Sequence, residues 1–278
     1  MAAPTSLPIV LTFAASDPTS GAGLQADLLT IAGMRCYPVC VVTAVTVQDT
    51  TGVERLLPMD ADVVAAQAQV LLADITVAAF KLGVLGSADN VVAIARILAA
   101  HPEVPVVLDP VLASGRGDAL AGREIIAAMR SQLVPLASVA TPNSLEARRL
   151  AGHAHGGDAD LAQCARCLTD LGCEYVLVTG THEPGTDVAN TLYDRGGAVR
   201  TDRWPRLPDS YHGSGCTLAS AIAAGLALGR KVPEAVREAQ AYTWQALAHG
   251  LRAGRGQLLP DRLFALRTPA AAVKERTT

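Results

Sequence analysis

The feature that most constrains the fold is a repeated alternation of short apolar runs with helical patterns. Buried strands are predicted by β-branched and apolar runs at residues 8–15, 39–47, 79–82, 104–108, 139–140 and 175–178. Helices are predicted between them at residues 23–34, 60–72, 90–100 and 158–171. Strands that alternate with helices predict an α/β fold with a mostly parallel sheet and helices on both faces.

The C-terminal third departs from strict alternation. Residues 191–194 and 198–204 predict a hairpin around the turn residues Arg195, Gly196 and Gly197. Helical pattern then continues to about Ala253, and a short helix is expected at 261–266. Neither a repeat nor a linker divides the chain, so we expect one domain over residues 1–266 and a flexible tail over 267–278.

Composition narrows the function classes. Half of the residues are apolar, as a sheet covered by helices requires, and the net charge of −3 gives no electrostatic reason to bind nucleic acid or an anionic membrane. An apolar run long enough for a transmembrane helix is lacking, and the start lacks a signal-peptide pattern. The six cysteines do not suggest a disulfide framework, so we expect a cytoplasmic protein.

Cys164 and Cys167 have the spacing of a zinc-ligand pair. They lie inside a predicted helix, however, and a second Cys or His pair at metal spacing does not follow them. We therefore interpret them as small apolar residues on one helix face.

Polar residues follow each predicted strand at its carboxyl end. In open parallel sheets, ligands bind in the crevice outside these ends. We therefore expect one binding site to be lined by residues from 16–17, 48–49, 81–83, 109–110, 141–143 and 179–181.

The segment from His212 to Thr217 predicts the chemistry of this site. Gly213 and Gly215 allow the backbone to approach a ligand, and a helix follows at once, so unpaired N–H groups point at one place. Such a helix start attracts anions, phosphate above all. Cys216 is expected in the first turn, where the helix dipole would lower the pKa of its thiol and make it a candidate base.

The sequence resembles the hydroxymethylpyrimidine and phosphomethylpyrimidine kinases of thiamine biosynthesis, members of the ribokinase-like superfamily. Collinear motifs carry the resemblance at residues 16–27, 43–50, 81–85, 107–111, 141–147 and 212–218. Their order and spacing cover most of the chain. The resemblance implies a ribokinase-like α/β fold and ATP-dependent phosphorylation of 4-amino-5-hydroxymethyl-2-methylpyrimidine, then of its monophosphate to the diphosphate. A small-molecule substrate, ATP and Mg²⁺ are therefore expected, and the family commonly forms homodimers.

The resemblance also implies roles for individual residues. Backbone N–H groups of Gly213, Ser214 and Gly215 would hold the transferred phosphoryl group, and Cys216 would take the substrate's hydroxyl proton. Gln48 would recognise the pyrimidine through its amide, in a pocket shared with Asp17, Gly21, Ala22, Gly23 and Val84.

Hard oxygen-bearing groups are expected around the ATP phosphates. Asp109 and Glu146 would organise Mg²⁺, and nucleotide contacts are expected from Asn143, Thr179, Thr181 and Thr217. Asn143 and Glu146 also fit a helix N-cap and its first-turn acid, and both interpretations can hold together.

Several positions depart from the family pattern. Ser20 stands where glycine is frequent, Val84 where methionine often packs on the pyrimidine, and Asp49 where asparagine is common, which adds negative charge near the pocket. Thr179 and Thr181 stand where the family pattern frequently has a lysine and a glycine.

Two alternative functions remain open. A pyridoxal or pyridoxine kinase is the nearer alternative, and a non-catalytic pyrimidine-binding protein on the same fold is the other. Loops at 49–58 and 116–123 are polar enough to close over substrate.

Overall fold

The central element is a nine-stranded sheet in the order β3-β2-β1-β4-β5-β6-β7-β8-β9. The computed structural model describes residues 7–113, 120–153 and 159–267. The strands are β1 (Ile9–Ser16), β2 (Tyr37–Asp49), β3 (Gly52–Pro58), β4 (Ala79–Leu82), β5 (Val106–Leu108), β6 (Val139–Ala140), β7 (Tyr175–Val178), β8 (Asp187–Asp194) and β9 (Gly197–Pro205). Neighbours from β2 to β7 run parallel, and β3, β8 and β9 pair antiparallel.

Helices cover both faces of this sheet. They are α1 (Gly23–Gly33), α2 (Ala61–Asp74), α3 (Ala88–Ala99), α4 (Arg123–Ala128), α5 (Ser144–Leu150), α6 (Leu161–Asp170), α7 (Ser214–Ala227), α8 (Val232–Ala248) and α9 (Phe264–Arg267). A π-helical turn (Met129–Leu133) and a 3-10 turn (Val134–Leu136) continue α4.

The core lies in two layers because successive strand residues point to opposite faces. In β1, Leu11 and Phe13 pack with the helices from α2 to α6 on one face. The side chain of Val10, the residue before Leu11, points the opposite way and packs with α1, α7 and α8 on the other face. The predicted α/β architecture, with helices on both faces of a mostly parallel sheet, is confirmed.

The structure corrects several predicted elements. Residues 52–58, expected in a loop, form the edge strand β3, and α4 was not predicted. The helical stretch expected to continue to Ala253 is two helices, separated at Gly229, which has a φ of 80°. The short C-terminal helix begins at Phe264 instead of Asp261. Half of the predicted loop at 116–123, namely residues 116–119, and all but Arg267 of the predicted tail lie outside the described residues.

Candidate active site

A cavity of about 470 Å³ lies at the carboxyl ends of the parallel strands. Every polar segment that the sequence placed at this edge contributes to its wall. The contributing residues are Asp17, Gln48, Lys81, Asp109, Thr141, Asn143, Thr179 and Thr181. The predicted convergence of these segments on one site is therefore confirmed.

The N-terminus of α7 forms one side of this cavity. Gly213 is its N-cap, with φ 82° and ψ 22°, and Ser214, Gly215 and Cys216 form the first turn. The first intrahelical bond is donated by the amide of Thr217 to the carbonyl of Gly213, at 3.0 Å. The preceding N–H groups therefore lack an intrahelical acceptor, and Gly213 to Cys216 line the cavity. This first turn (residues 213–216) is called the anion hole below.

Gly213 is required at this position for two reasons. Its φ lies in the left-handed region, and a Cβ atom there would be only 1.9 Å from the carbonyl oxygen of Gly21. Thr217 was expected to contact the nucleotide, but the structure buries it completely and engages its hydroxyl, which donates to the Gly213 carbonyl at 2.9 Å. Thr217 therefore supports the anion hole from behind.

Cys216 faces the cavity but does not have the lowered pKa expected from its sequence position. Its side chain is only 7% exposed. Burial raises the pKa of the thiol to about 12, and the nearby Lys81 ammonium only partly opposes this effect. Removal from water thus outweighs the helix dipole, and the ligand-free protein carries a protonated thiol at neutral pH.

Lys81 belongs to a buried network that sequence reasoning did not find. Its ammonium contacts both oxygens of Asp27, at 2.8 and 2.9 Å, and both side chains are fully buried. Thr12 and Ser220 donate to the same carboxylate at 2.6 and 2.7 Å. Burial alone would lower the pKa of Lys81, but the surrounding acidic groups, led by Asp27, together raise that pKa, so a fixed positive charge lies beneath the site.

Asp109 lies across from the anion hole. A Cβ atom on Gly215 would be 3.8 Å from its Oδ1. Its Oδ2 is buried without a hydrogen-bond partner, and burial raises the pKa of the carboxyl to about 6, against the lowering effect of Lys81. An unpaired buried carboxylate oxygen fits a cation or a donor group of a ligand.

Asn143 and Glu146 form a capping box at the start of α5. The Asn143 side chain accepts from the amides of Leu145 and Glu146, and the Glu146 Oε2 accepts from the Asn143 amide at 2.9 Å. The Glu146 Oε1 accepts from the amide of Leu112 at 3.2 Å. The helix-cap interpretation is confirmed.

Glu146 also lies close enough to Asp109 for the two carboxyl groups to influence each other. Burial and the charge of Asp109 raise the pKa of Glu146 to about 8. Two buried carboxyl groups that would repel each other when both are ionised, one with an unpaired oxygen, fit a hard divalent cation, which would relieve that repulsion. In the described part of the chain, no group of three or more His, Cys, Asp or Glu side chains could hold a metal. A cation bound here would therefore need ligands other than these side-chain types.

The predicted pyrimidine pocket lies at the β1–β2 end of the cavity. Asp17 Oδ2 accepts from the Ala22 amide and contacts His212 Nε2, both at 2.8 Å. The Gln48 amide nitrogen lies 3.5 Å from the same His212 nitrogen. Burial alone would raise the pKa of Asp17, but hydrogen bonds, led by His212 and Gln48, keep it well below its usual value. A carboxylate therefore orients the polar groups of this pocket.

Most of the predicted pocket residues line this end of the cavity, namely Asp17, Ala22, Gly23, Gln48 and Val84. Gly21 does not. It lies behind the wall, where its carbonyl accepts from Arg262. Asp49 was expected to add charge near the pocket, but it is exposed and accepts from the amides of Thr51 and Gly52 in the β2–β3 turn.

The opposite end of the cavity lies against β7–β9 and α8. Thr179 and Thr181 line it, and Trp204 and Trp244 form an apolar wall with ring centroids 6.4 Å apart. Both indole N–H groups donate to the protein, to Gln240 and to the Pro205 carbonyl. The hydroxyl of Thr243, a cavity-lining residue that is only 8% exposed, has no partner. This end therefore offers an apolar surface with one free polar group.

The remaining cysteines take no part in the cavity. All six cysteines are free. Cys164 and Cys167 both lie on α6, and the thiol of Cys164 is buried in the core, as expected for small core residues. Within the described residues, no helix is long and apolar enough to cross a membrane.

Comparison with known proteins identifies the family of this chain. The sequence matches the phosphomethylpyrimidine kinase family over residues 17–261. A hydroxymethylpyrimidine/phosphomethylpyrimidine kinase of Streptomyces coelicolor is 41% identical over 254 residues, which cover 91% of this chain and 93% of that protein.

Solved structures share the fold. The ADP complex of Bacillus subtilis pyridoxal kinase has a TM-score of 0.85 and 29% identity, covering 95% of this chain and 100% of that one. A phosphomethylpyrimidine kinase from Clostridium difficile has a TM-score of 0.72 and 30% identity, covering 85% and 97%. The expected ribokinase-like fold is confirmed.

Proposed function

The chain belongs to the phosphomethylpyrimidine kinase family and is a phosphotransferase, and we propose that it phosphorylates 4-amino-5-hydroxymethyl-2-methylpyrimidine with ATP. The same site would then phosphorylate the monophosphate to the diphosphate. One observation carries the proposal most strongly: a helix N-terminus, an unpaired carboxylate oxygen and a buried ammonium face one cavity between a polar pocket and an apolar one. Phosphoryl transfer needs this combination of positioning and charge neutralisation.

The pyrimidine would occupy the pocket that contains Gln48. A side-chain amide carries donors and an acceptor, so it can pair with a ring nitrogen and with the neighbouring amino group. Asp17 and His212 orient that amide, and Val84 would cover a ring face. The hydroxymethyl group would then point toward the anion hole and Cys216.

ATP would lie along the other half of the cavity. Its base would pack on the apolar wall of Trp204 and Trp244, where the unpaired hydroxyl of Thr243 is available as a donor and acceptor. Thr179, Thr181 and Asn143 would meet the phosphates. The N–H groups of the anion hole would donate hydrogen bonds to the oxygens of the transferred phosphoryl group, and the Lys81 charge would favour the anion.

We propose that Mg²⁺ is held at Asp109, through its unpaired oxygen, and at Glu146, directly or through water. When bound, the ion would neutralise charge on the ATP phosphates. Both carboxyl groups line the cavity beside the anion hole. The buried repulsion between them supports this assignment over a purely structural one.

Cys216 is the proposed acceptor of the substrate proton. The hydroxyl oxygen forms a bond to the γ-phosphorus, the bond from that phosphorus to the ADP oxygen breaks, and the hydroxyl proton passes to the Cys216 sulfur. Because the ligand-free thiol has a raised pKa, it must lose its proton before this step. Its neighbour Lys81 favours the thiolate.

A pyridoxal kinase is the second candidate, favoured by the close structural match to a pyridoxal kinase. The test is a comparison of kcat/KM for the aminopyrimidine alcohol, its monophosphate and pyridoxal, each with Mg-ATP. Preference for the pyrimidine alcohol supports the proposal. Preference for pyridoxal would favour the alternative, and absence of ATP consumption with every alcohol would favour a binding protein.

We further propose that residues 1–266 form one domain, that two chains form a homodimer, and that the protein is cytoplasmic. The continuous sheet supports a single domain, and the free cysteines fit a reducing compartment. Val45 and Leu57, both exposed on the β2–β3 edge, supply apolar surface for a second copy. Light scattering would test the dimer, and a monomer at working concentration would contradict it.

A further inference from the structure

Arg262 joins two parts of the site that are far apart in the sequence. Its side chain is only 3% exposed, and its partners are neutral oxygens. Nε donates to the Thr217 hydroxyl at 3.0 Å, and Nη2 donates to the carbonyls of Gly21 and Gly213. Nη1 donates to the carbonyl of Ser20 at 3.1 Å. One planar guanidinium thus contacts the loop between β1 and α1 (residues 17–22, the substrate loop) and the anion hole.

By holding two backbone carbonyl groups, these contacts also fix the direction of the N–H group that follows each of them. In a planar trans peptide the carbonyl of one residue and the N–H of the next point in opposite directions. Holding the Gly213 carbonyl therefore aims the Ser214 N–H toward the cavity. Holding the Gly21 carbonyl aims the Ala22 N–H at Asp17, to which it donates at 2.8 Å.

The two segments also touch each other directly. A Cβ atom on Gly213 would collide with the Gly21 carbonyl oxygen, so these backbones are in contact beneath the guanidinium. The backbone of Arg262 is itself held, because its carbonyl accepts from the Tyr242 hydroxyl on α8. Displacement of the side chain would therefore release both segments together.

We infer that Arg262 is a positioning residue that couples the substrate loop to the anion hole, so that the pyrimidine pocket and the phosphoryl site are held in their working arrangement by one group. The kinetic part of this inference rests on the proposed function. The structural part does not, because the coupling exists without any ligand. Arg262→Gln removes the charge and most of the donors, and Arg262→Lys keeps the charge but cannot reach every carbonyl at once.

The test combines hydrogen–deuterium exchange of the ligand-free chain with steady-state kinetics. In Arg262→Gln, amides of residues 17–22 and 214–217 should exchange faster together, while those of β4 and β5 stay protected. Turnover should fall by about 10–100-fold, because misplaced phosphoryl donors lose most of their effect, with the KM for ATP changed less than turnover. Arg262→Lys should show the same pattern to a smaller degree and serves if the glutamine variant does not fold.

The control is Arg267→Gln, since Arg267 lies on the same segment with an exposed side chain, which forms an ion pair with the buried carboxylate of Asp261 at 3.1 Å. It should leave exchange in both segments and turnover unchanged. Faster exchange in only one segment, or throughout the chain, would overturn the inference. If the exchange result is as expected but the unaltered chain does not phosphorylate the pyrimidine, the proposed substrate is rejected and the coupling stands.

Discussion

Replacement of Cys216 by alanine tests its proposed role as the proton acceptor. A general base contributes about 10²–10⁴-fold to turnover, so Cys216→Ala should lower kcat by that factor. The KM for ATP should change little, because the end of the cavity proposed to bind the nucleotide is formed by β7–β9 and α8. Initial rates with saturating Mg-ATP and a range of pyrimidine concentrations separate the two effects.

The raised pKa of the thiol also predicts a pH dependence. Because burial raises that pKa to about 12, only a small fraction of the thiol is ionised in the ligand-free protein at pH 8, and the fraction rises about tenfold with each pH unit. If the thiolate acts as the base, kcat/KM of the unaltered chain should rise with pH through this range. Cys216→Ala should lose that slope as well as the rate.

Cys36→Ala is the matched control. Cys36 is also buried, with its pKa raised to about 11 by burial, but its thiol contacts the carbonyl of Ala224 far along α7 from the anion hole. This variant should keep the turnover and pH slope of the unaltered chain. If Cys216→Ala turns over within about threefold of the unaltered chain, Cys216 is not the base, and the anion hole is the main catalytic device.

Three further predictions follow from the same site. Gln48→Leu should weaken pyrimidine binding by about 1–3 kcal/mol with ATP binding unchanged, as measured by titration calorimetry, since buried ligand groups lose their partners; an unchanged pyrimidine affinity would move ring recognition elsewhere. Glu146→Gln should raise the Mg²⁺ concentration for half-maximal rate. The pKa of Glu146 is about 8 in the folded chain against an ordinary 4.5, so between these pH values the folded chain retains a proton that the unfolded chain loses. Without Mg²⁺, the contribution of Glu146 to stability therefore falls as pH rises from 4.5 to 8. Melting curves of the Glu146→Gln variant should lack this pH-dependent loss of stability. Ser20 has a φ of 60°, in the left-handed region that favours glycine. Ser20→Gly should therefore raise the free energy of unfolding by about 0.5–1 kcal/mol, measured by denaturant unfolding. A loss of stability would show that the serine side chain compensates for its backbone strain.

The Glu146 variant also affects the capping box. Glutamine cannot preserve the cap in full, because both carboxylate oxygens of Glu146 accept backbone N–H groups. An amide can accept only through its oxygen, so one of these bonds is lost and some stability with it. Activity and stability must therefore be measured on the same preparation, and Mg²⁺ dependence, not the melting temperature, decides the metal assignment.

The parallel strands and the position of the site were predictable because each strand is an apolar run that ends in polar residues. The edge strand β3 was missed because Glu54 and Arg55, which lie exposed in its middle, interrupt the apolar pattern. Its location outside the core explains why the pattern is weak. The start of α7 and the position of Cys216 in its first turn followed directly from the glycines around them.

Contacts between distant residues were not predictable from the sequence. Lys81 meets Asp27 across 54 positions, and Arg262 meets Gly21 across 241. The pKa of Cys216 was predicted in the wrong direction because local sequence shows the helix dipole but not the burial that outweighs it. Ser20 departs from the glycine that its backbone conformation favours, and only its φ of 60° in the structure makes that departure informative.

Phosphoryl transfer to the pyrimidine alcohol, the proposed reaction of this cavity, can be followed through its products. The decisive measurement is mass analysis of the products formed from 4-amino-5-hydroxymethyl-2-methylpyrimidine and Mg-ATP. The monophosphate should accumulate first and the diphosphate should follow, with ADP formed in equal amount at each step. An unchanged pyrimidine mass after prolonged incubation, under conditions in which ATP binds, would contradict it.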